Sequence, residues 1–232
     1  MSFSDVINYL QGTSNLAVAI RLVIATIFGG LVGWERIIKH HNAGIKTHAL
    51  VSLGSAAATA LNIYLALIPG LNADVSRIPA GVVSGMGFLG AGTILVTGRK
   101  QIKGLSTAAT LWVTSCMGMA IGAGYLEIGF VCLLMVGFSN ILLLQLSNKV
   151  EGNSKYMSIY IEVNKNRGVN KLTKLLTENG FSISSMTKSK EKTLQSSDTA
   201  LLLDIILDKS RHHSEILSML SEQEFVNYVE EV

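Results

Sequence analysis

Five apolar stretches close to bilayer-crossing length dominate this chain, at 16–34, 49–67, 78–96, 107–123 and 125–146. A helix rises about 1.5 Å per residue, so roughly 20 mostly apolar residues cross a hydrocarbon core ~30 Å thick. Lipid offers the backbone no hydrogen-bonding partner, so runs like these fold as helices that satisfy their own N–H and C=O groups. Pro69 ends the second run. Pro79 stands in the first turn of the third, where its missing N–H is tolerated. Gly122-Ala123-Gly124 joins the last two runs in a tight hairpin.

Charge divides the chain in two. Residues 1–152 hold 9 of the 19 Lys and Arg, 5 of the 16 Asp and Glu, and 20 of the 22 glycines. Residues 153–232 hold 10 basic and 11 acidic residues, ordinary surface chemistry. The polar stretch Glu151-Gly152-Asn153-Ser154 reads as the linker between a membrane domain and a water-soluble one. Basic residues gather in alternate connections: Arg36, Lys39, Lys46, His40, His41 and His48 after the first span, Arg99, Lys100 and Lys103 after the third, and Lys149 after the fifth. The positive-inside rule then places the N-terminus outside and the C-terminal domain in the cytoplasm. No Lys or Arg precedes Arg21 and the first run is full length, so a cleaved signal peptide is not expected.

Beyond Ser154 the periodicity changes. Strand-like stretches at 156–163, 181–189, 199–207 and 225–229 are interleaved with helical spacing at 168–179 and 211–222. The order strand-helix-strand-strand-helix-strand predicts a small α+β domain of the split βαβ, ferredoxin-like kind. His212 and His213, beside Arg211, read as a solvated helix face. The expected fold is therefore a polytopic α-helical membrane domain of about five spans followed by this domain.

Several function classes are set aside. The net charge of +3 comes with no basic stripe and no nucleic-acid motif. Cys116 and Cys132 lie inside apolar runs without CxxC spacing and read as small buried hydrophobes. No phosphate loop, nucleophile elbow or triad is present, so neither an enzyme nor a cofactor is expected.

Polar residues in or beside the spans are the functional candidates. Glu35 and Arg36 close the first span opposite Lys46, Thr47 and His48 at the start of the second, where Glu35 could pair with Lys46 or Lys103. On the other side, Arg21 lies a few residues into the first span. It either snorkels to the interface or pairs with Asp74, near Arg77. Small residues recur one turn apart at Gly29 and Gly33, Gly81 and Gly85, and Gly118 and Gly122, with Gly87, Gly90 and Gly92 added in the third span. Such pairs let backbones approach closely in lipid. Packing within the chain, a homodimer face and a permeation path are the readings.

Ordered motifs over about 20–146 resemble the MgtC/SapB family. Gly29-Gly30-Leu31-Val32-Gly33-Trp34-Glu35-Arg36 is similar to its G-x-x-x-G-x-E-R signature, and Ala43-Gly44-Ile45-Lys46-Thr47-His48-Ala49-Leu50-Val51-Ser52-Leu53-Gly54 to its A-G-x-R-T-H-x-L-V-x-L-G segment. Asp74-Val75-Ser76-Arg77-Ile78, Gly85-Met86-Gly87-Phe88-Leu89-Gly90-Ala91-Gly92 and Gly104-Leu105-Ser106-Thr107-Ala108-Ala109-Thr110-Leu111-Trp112-Val113 resemble its further blocks. Lys46 replaces the family's usual Arg and Ser106 its usual Thr. The first exchange loses a bidentate fork. The resemblance implies a bacterial plasma-membrane protein with five spans and, as in some members, an ACT-like cytoplasmic tail. It also implies a link to low magnesium, and in some members restraint of the F-type ATP synthase. A regulator acting through helix contacts with a membrane partner is the leading expectation. A magnesium or other cation transporter is the alternative, and the tail as a small-molecule sensor is a third reading.

Overall fold

A computed structural model describes every residue except 1–2, 40, 98–100, 153, 166, 190–192, 194–197 and 208–211. His40, Arg99, Lys100, Asn153 and Arg211, all used in the sequence argument, lie outside the described residues. The chain forms two compact units, Met1–Leu95 with Lys103–Leu142, and Val96–Ile102 with Leu143–Val232.

Helices α1 (Phe3–Gln11), α2 (Asn15–Ile38), α3 (Ile45–Ala66) and α4 (Arg77–Thr93) come first. Strands β1 (Leu95–Val96) and β2 (Ile102–Lys103) form a small hairpin before α5 (Leu105–Gly122) and α6 (Leu126–Phe138). One π-helical turn, Ser139–Leu143, leads into α7 (Leu144–Glu151). The Ser14 hydroxyl starts α2 by accepting from the Ala17 amide at 3.2 Å, satisfying one of its orphan donors. Among the described residues, four helical stretches are long and apolar enough to cross a membrane: Asn15–Ile38, Ile45–Ala66, Leu105–Gly122 and Leu126–Ser147.

The expected third span is shorter than its apolar run. α4 has 17 residues, about 25 Å at the helical rise and short of the ~30 Å core. Ile94 turns extended, and Leu95–Val96 pair as a strand instead of continuing the helix. Gly104 closes this hairpin at φ 97°, where a Cβ would stand 1.9 Å from the Thr93 carbonyl oxygen. Only glycine fits both the left-handed backbone and the contact.

α3 is the centre of the bundle, packed between α2 and α5. A Cβ on Gly29 would lie 2.5 Å from the His48 carbonyl oxygen, and one on Gly33 would lie 2.5 Å from the Ile45 Cα. On the other side, Gly118 and Gly122 would each meet a carbonyl oxygen of α3, from Ser52 and Ala56, at 2.3 Å. These two glycine pairs therefore serve packing within the chain. The Ser55 and Ser115 hydroxyls hydrogen-bond across α3 and α5 at 2.8 Å, a buried polar tie of the kind that adds to small-residue packing. The glycines of α4 differ. A Cβ on Gly90 would meet the Ala108 Cβ at 3.4 Å, but one on Gly81, Gly85, Gly87 or Gly92 would meet no described atom within 4 Å.

In the second unit, β3 (Tyr156–Asn164), α8 (Gly168–Glu178), β4 (Phe181–Lys188), β5 (Asp198–Leu207), α9 (His213–Ser221) and β6 (Val226–Glu231) follow one another. The sheet order is β4-β5-β3-β6. All three pairings are antiparallel, with Ile161 opposite both Leu201 and Val229. This is the split βαβ arrangement with both strand-helix units wound onto one sheet. Ile159, Ile161, Leu203 and Ile205 of the sheet bury against Leu172 and Leu176 of α8 and Ile216 and Leu220 of α9. Each such side chain contributes roughly 1.5–3 kcal/mol of burial. His213 departs from the solvated reading. It is 3% exposed, with Nδ1 2.6 Å from Glu231 Oε1 and Nε2 2.9 Å from the Ser154 carbonyl oxygen. The return of β6 beside α9 supplies the carboxylate that makes its burial tolerable.

Candidate functional site

The C-terminal end of α2, the N-terminal ends of α3 and α5, and the π turn after α6 meet at one end of the bundle. Arg36 sits among them, 2% exposed. Its Nη1 donates to Ser106 Oγ at 3.1 Å and its Nη2 to Thr107 Oγ1 at 2.9 Å, while Nε is buried without a partner. Two hydroxyls from the first turn of α5 thus occupy the guanidinium fork, leaving its charge uncompensated by those contacts.

Glu35 faces a different way. Its Oε1 lies 2.6 Å from Lys39 Nζ, one turn along the same helix. This contact is an ion pair within one helical turn. Asn140 donates from Nδ2 to Glu35 Oε2 at 3.1 Å, and its carbonyl accepts from Lys39 Nζ. The expected pairing of Glu35 with Lys46 or Lys103 is not formed. Lys46 and Thr47 are exposed on the first turn of α3. The i,i+4 geometry puts Lys39 within reach at no cost in chain closure, and that spacing was available in the sequence.

His48, beside them, is fully buried. Its Nδ1 lies 3.0 Å from the Gly44 carbonyl oxygen. A carbonyl only accepts, so Nδ1 carries a proton, and in the neutral ring Nε2 is left as an acceptor. That Nε2 and the Ser52 hydroxyl, one turn on, are both buried without partners. The small-residue crossing at Gly29 holds this polar pair inside the bundle, where unsatisfied groups are costly.

A cavity of about 590 Å³ opens next to this cluster, lined by His41, Asn42, Thr93, Lys103 and Thr107. Burial, and then the nearby Arg36 charge, push the His41 imidazole below the ordinary histidine range, with Lys39 adding to this and Glu35 opposing it. The surroundings are cationic. Among the described residues, no three His, Cys, Asp or Glu side chains gather as metal ligands would.

At the opposite end, Arg21 and Asp74 do not pair. Arg21 is buried in α2, whereas Asp74 is exposed and accepts from the amide of Ser76 at 2.8 Å and from its hydroxyl at 2.7 Å. These bonds hold the Asp74 carboxyl below its ordinary range. Arg77 is exposed where α4 begins, and Trp112 of α5 is 45% exposed. Lys39, Ser52, Ser106, Thr107 and Asn140 are members of the site that residue patterns did not single out as functional candidates. Asn140, one of the few polar residues in the fifth apolar run, carried the signal for it.

The model of the MgtC family matches residues 22–149. A relative from Escherichia coli K12, "Putative magnesium transporter YhiD", is 44% identical over 114 residues, 47% of this chain and 53% of its own length. "Protein MgtC" of Brucella abortus is 38% identical over 127 residues, 55% of this chain and 51% of its own. An uncharacterised Haemophilus influenzae protein is 30% identical over 185 residues, 75% of this chain and 76% of its own. The chain thus spans about half the length of the first two. No solved structure matches. The family match covers more than half of the chain, including every residue of the Glu35–Arg36–His48–Asn140 cluster, and this protein belongs to the MgtC family of membrane proteins.

Proposed function

We propose that this protein is a non-enzymatic regulator of the bacterial plasma membrane, tied to magnesium limitation and membrane energetics, that works by helix contact with a membrane partner. Five spans are proposed, with α4 as the short third one, the N-terminus outside and the tail in the cytoplasm. The observation that carries the reading is the open face of α4. Gly81, Gly85 and Gly92 have no described neighbour for an added Cβ, and Phe88, on the same side, is 81% exposed. A glycine groove beside an aromatic knob is suited to close helix packing, from a second copy or from a complex such as the F-type ATP synthase.

Cation transport is the second reading, favoured by the name of the Escherichia coli relative. Against it, the fully buried charges of the bundle among the described residues are the guanidiniums of Arg21 and Arg36, which repel a divalent cation, and the half-buried Glu35 is already paired with Lys39. The test is Gly85→Leu, scored for co-purification or self-association and for magnesium flux in proteoliposomes. Lost association with unchanged flux is expected. A selective magnesium flux that Gly85→Leu abolishes would favour transport instead.

A further inference from the structure

The second buried arginine, Arg21, has no use in that reading. It lies in the second turn of α2, 3% exposed. Among the described residues no hydrogen bond or ion pair reaches its guanidinium, and Nε is fully enclosed. An arginine does not shed its proton, so burial cannot be relieved by neutralisation. Arg36 has two hydroxyls in its fork and a glutamate next to it in sequence. Arg21 has a cavity instead.

That cavity holds about 270 Å³ between the start of α2 and the end of α3. Thr13, Asn15 and Tyr64 line it with polar groups, and Leu61 and Leu67 with apolar ones. The backbone makes room for the charge: Gly124, at φ 93°, would place a Cβ 2.7 Å from Arg21 Nη1. The chain therefore brings a buried cation to a pocket that the polar Thr13, Asn15 and Tyr64 line together with apolar side chains of α2 and α3. A guanidinium fork matches tetrahedral oxyanions in two-point geometry, and hydroxyl and amide groups complete such a shell. The apolar side chains in the lining suit the start of a lipid's acyl chains.

We propose that Arg21 and this cavity form a binding site for a phosphate-type oxyanion, either the phosphodiester of a phospholipid headgroup or inorganic phosphate. The site is independent of α4 and of any partner that packs there. Its occupant would supply the missing counter-charge at this end of the bundle and tie α2 to α3 and to the α5–α6 turn.

The test uses the full-length protein purified in detergent. Native mass spectrometry counts retained phosphatidylglycerol, and titration of delipidated protein with inorganic phosphate reads binding by thermal shift. Arg21→Gln removes the fork, Arg21→Lys keeps the charge alone, and Leu61→Trp fills the cavity while leaving Arg21 in place. One saturable site is expected in the wild type, at least about tenfold weaker in Arg21→Gln and Leu61→Trp and intermediate in Arg21→Lys. A loss confined to the lipid arm identifies a headgroup, and one confined to the phosphate arm identifies the free anion. If the wild type shows saturable binding in neither arm, or if Arg21→Lys and Leu61→Trp bind as tightly as the wild type, the proposal is wrong.

Discussion

The Gly118 Cα rests against the Ser52 carbonyl so closely that a single added methyl would stand 2.3 Å from the oxygen. Backbone rather than a flexible side chain is the obstacle, so the helices themselves must separate. Gly118→Ala is expected to cost about 1–3 kcal/mol through overpacking. Gly85→Ala, on a helix face with no described neighbour, gains up to about 1 kcal/mol from helix propensity. Thermal unfolding in detergent should separate the two in opposite directions. Equal losses would mean that the α4 face is packed in the purified protein.

Arg36 offers a second comparison. Arg36→Lys keeps a charge but loses the two-pronged fork on Ser106 and Thr107, and it is expected to lower stability by about 1–3 kcal/mol as the buried Thr107 hydroxyl loses its donor. Lys46→Ala, at an exposed position, should stay within about 0.5 kcal/mol of the wild type. Denaturation in mixed micelles reads both.

The ion pair of Glu35 with Lys39 anchors the turn that contains Asn140. Glu35→Gln is expected to leave the protein in the membrane but to impair growth under magnesium limitation, with Asn140→Ala giving a milder defect. Immunoblots of membranes alongside growth curves provide the check. Wild-type growth of Glu35→Gln at normal protein level would remove this pair from the functional site.

Much of this architecture is readable from the order of residues because lipid and sheet impose strict periods. The apolar runs and the six tail elements lie within a few residues of their expected places. What the period does not carry is the identity of a neighbour. Gly29 with Gly33 and Gly81 with Gly85 have the same spacing, yet the first pair meets α3 and the second meets no described residue. Spacing defines a groove, while tertiary arrangement decides what fills it. The same reason hid the burial of His213, which depends on Glu231 arriving from the far end of the tail. Arg21 and Asp74 were each visible as charges, but Asp74 finds its partners two residues away in Ser76. Local bonds of that kind form without chain-closure cost and outcompete a distant partner.

His41 gives the bundle a pH dependence whose sign can be worked out. Its ring lies outside the helices, beside the cationic cavity, and burial followed by Arg36 lowers its proton affinity relative to an ordinary histidine. Below the ordinary value of about 6.5, the unfolded chain binds a proton there that the folded chain resists. The unfolded state is then the more protonated one, so stability rises with pH through this window and levels off above it. Acidification from neutral pH is therefore expected to destabilise the protein, and His41→Gln, which cannot take up the proton, should flatten that part of the curve. Thermal unfolding of wild type and variant across this range measures the difference. A wild-type slope unchanged in His41→Gln would assign the dependence to another group.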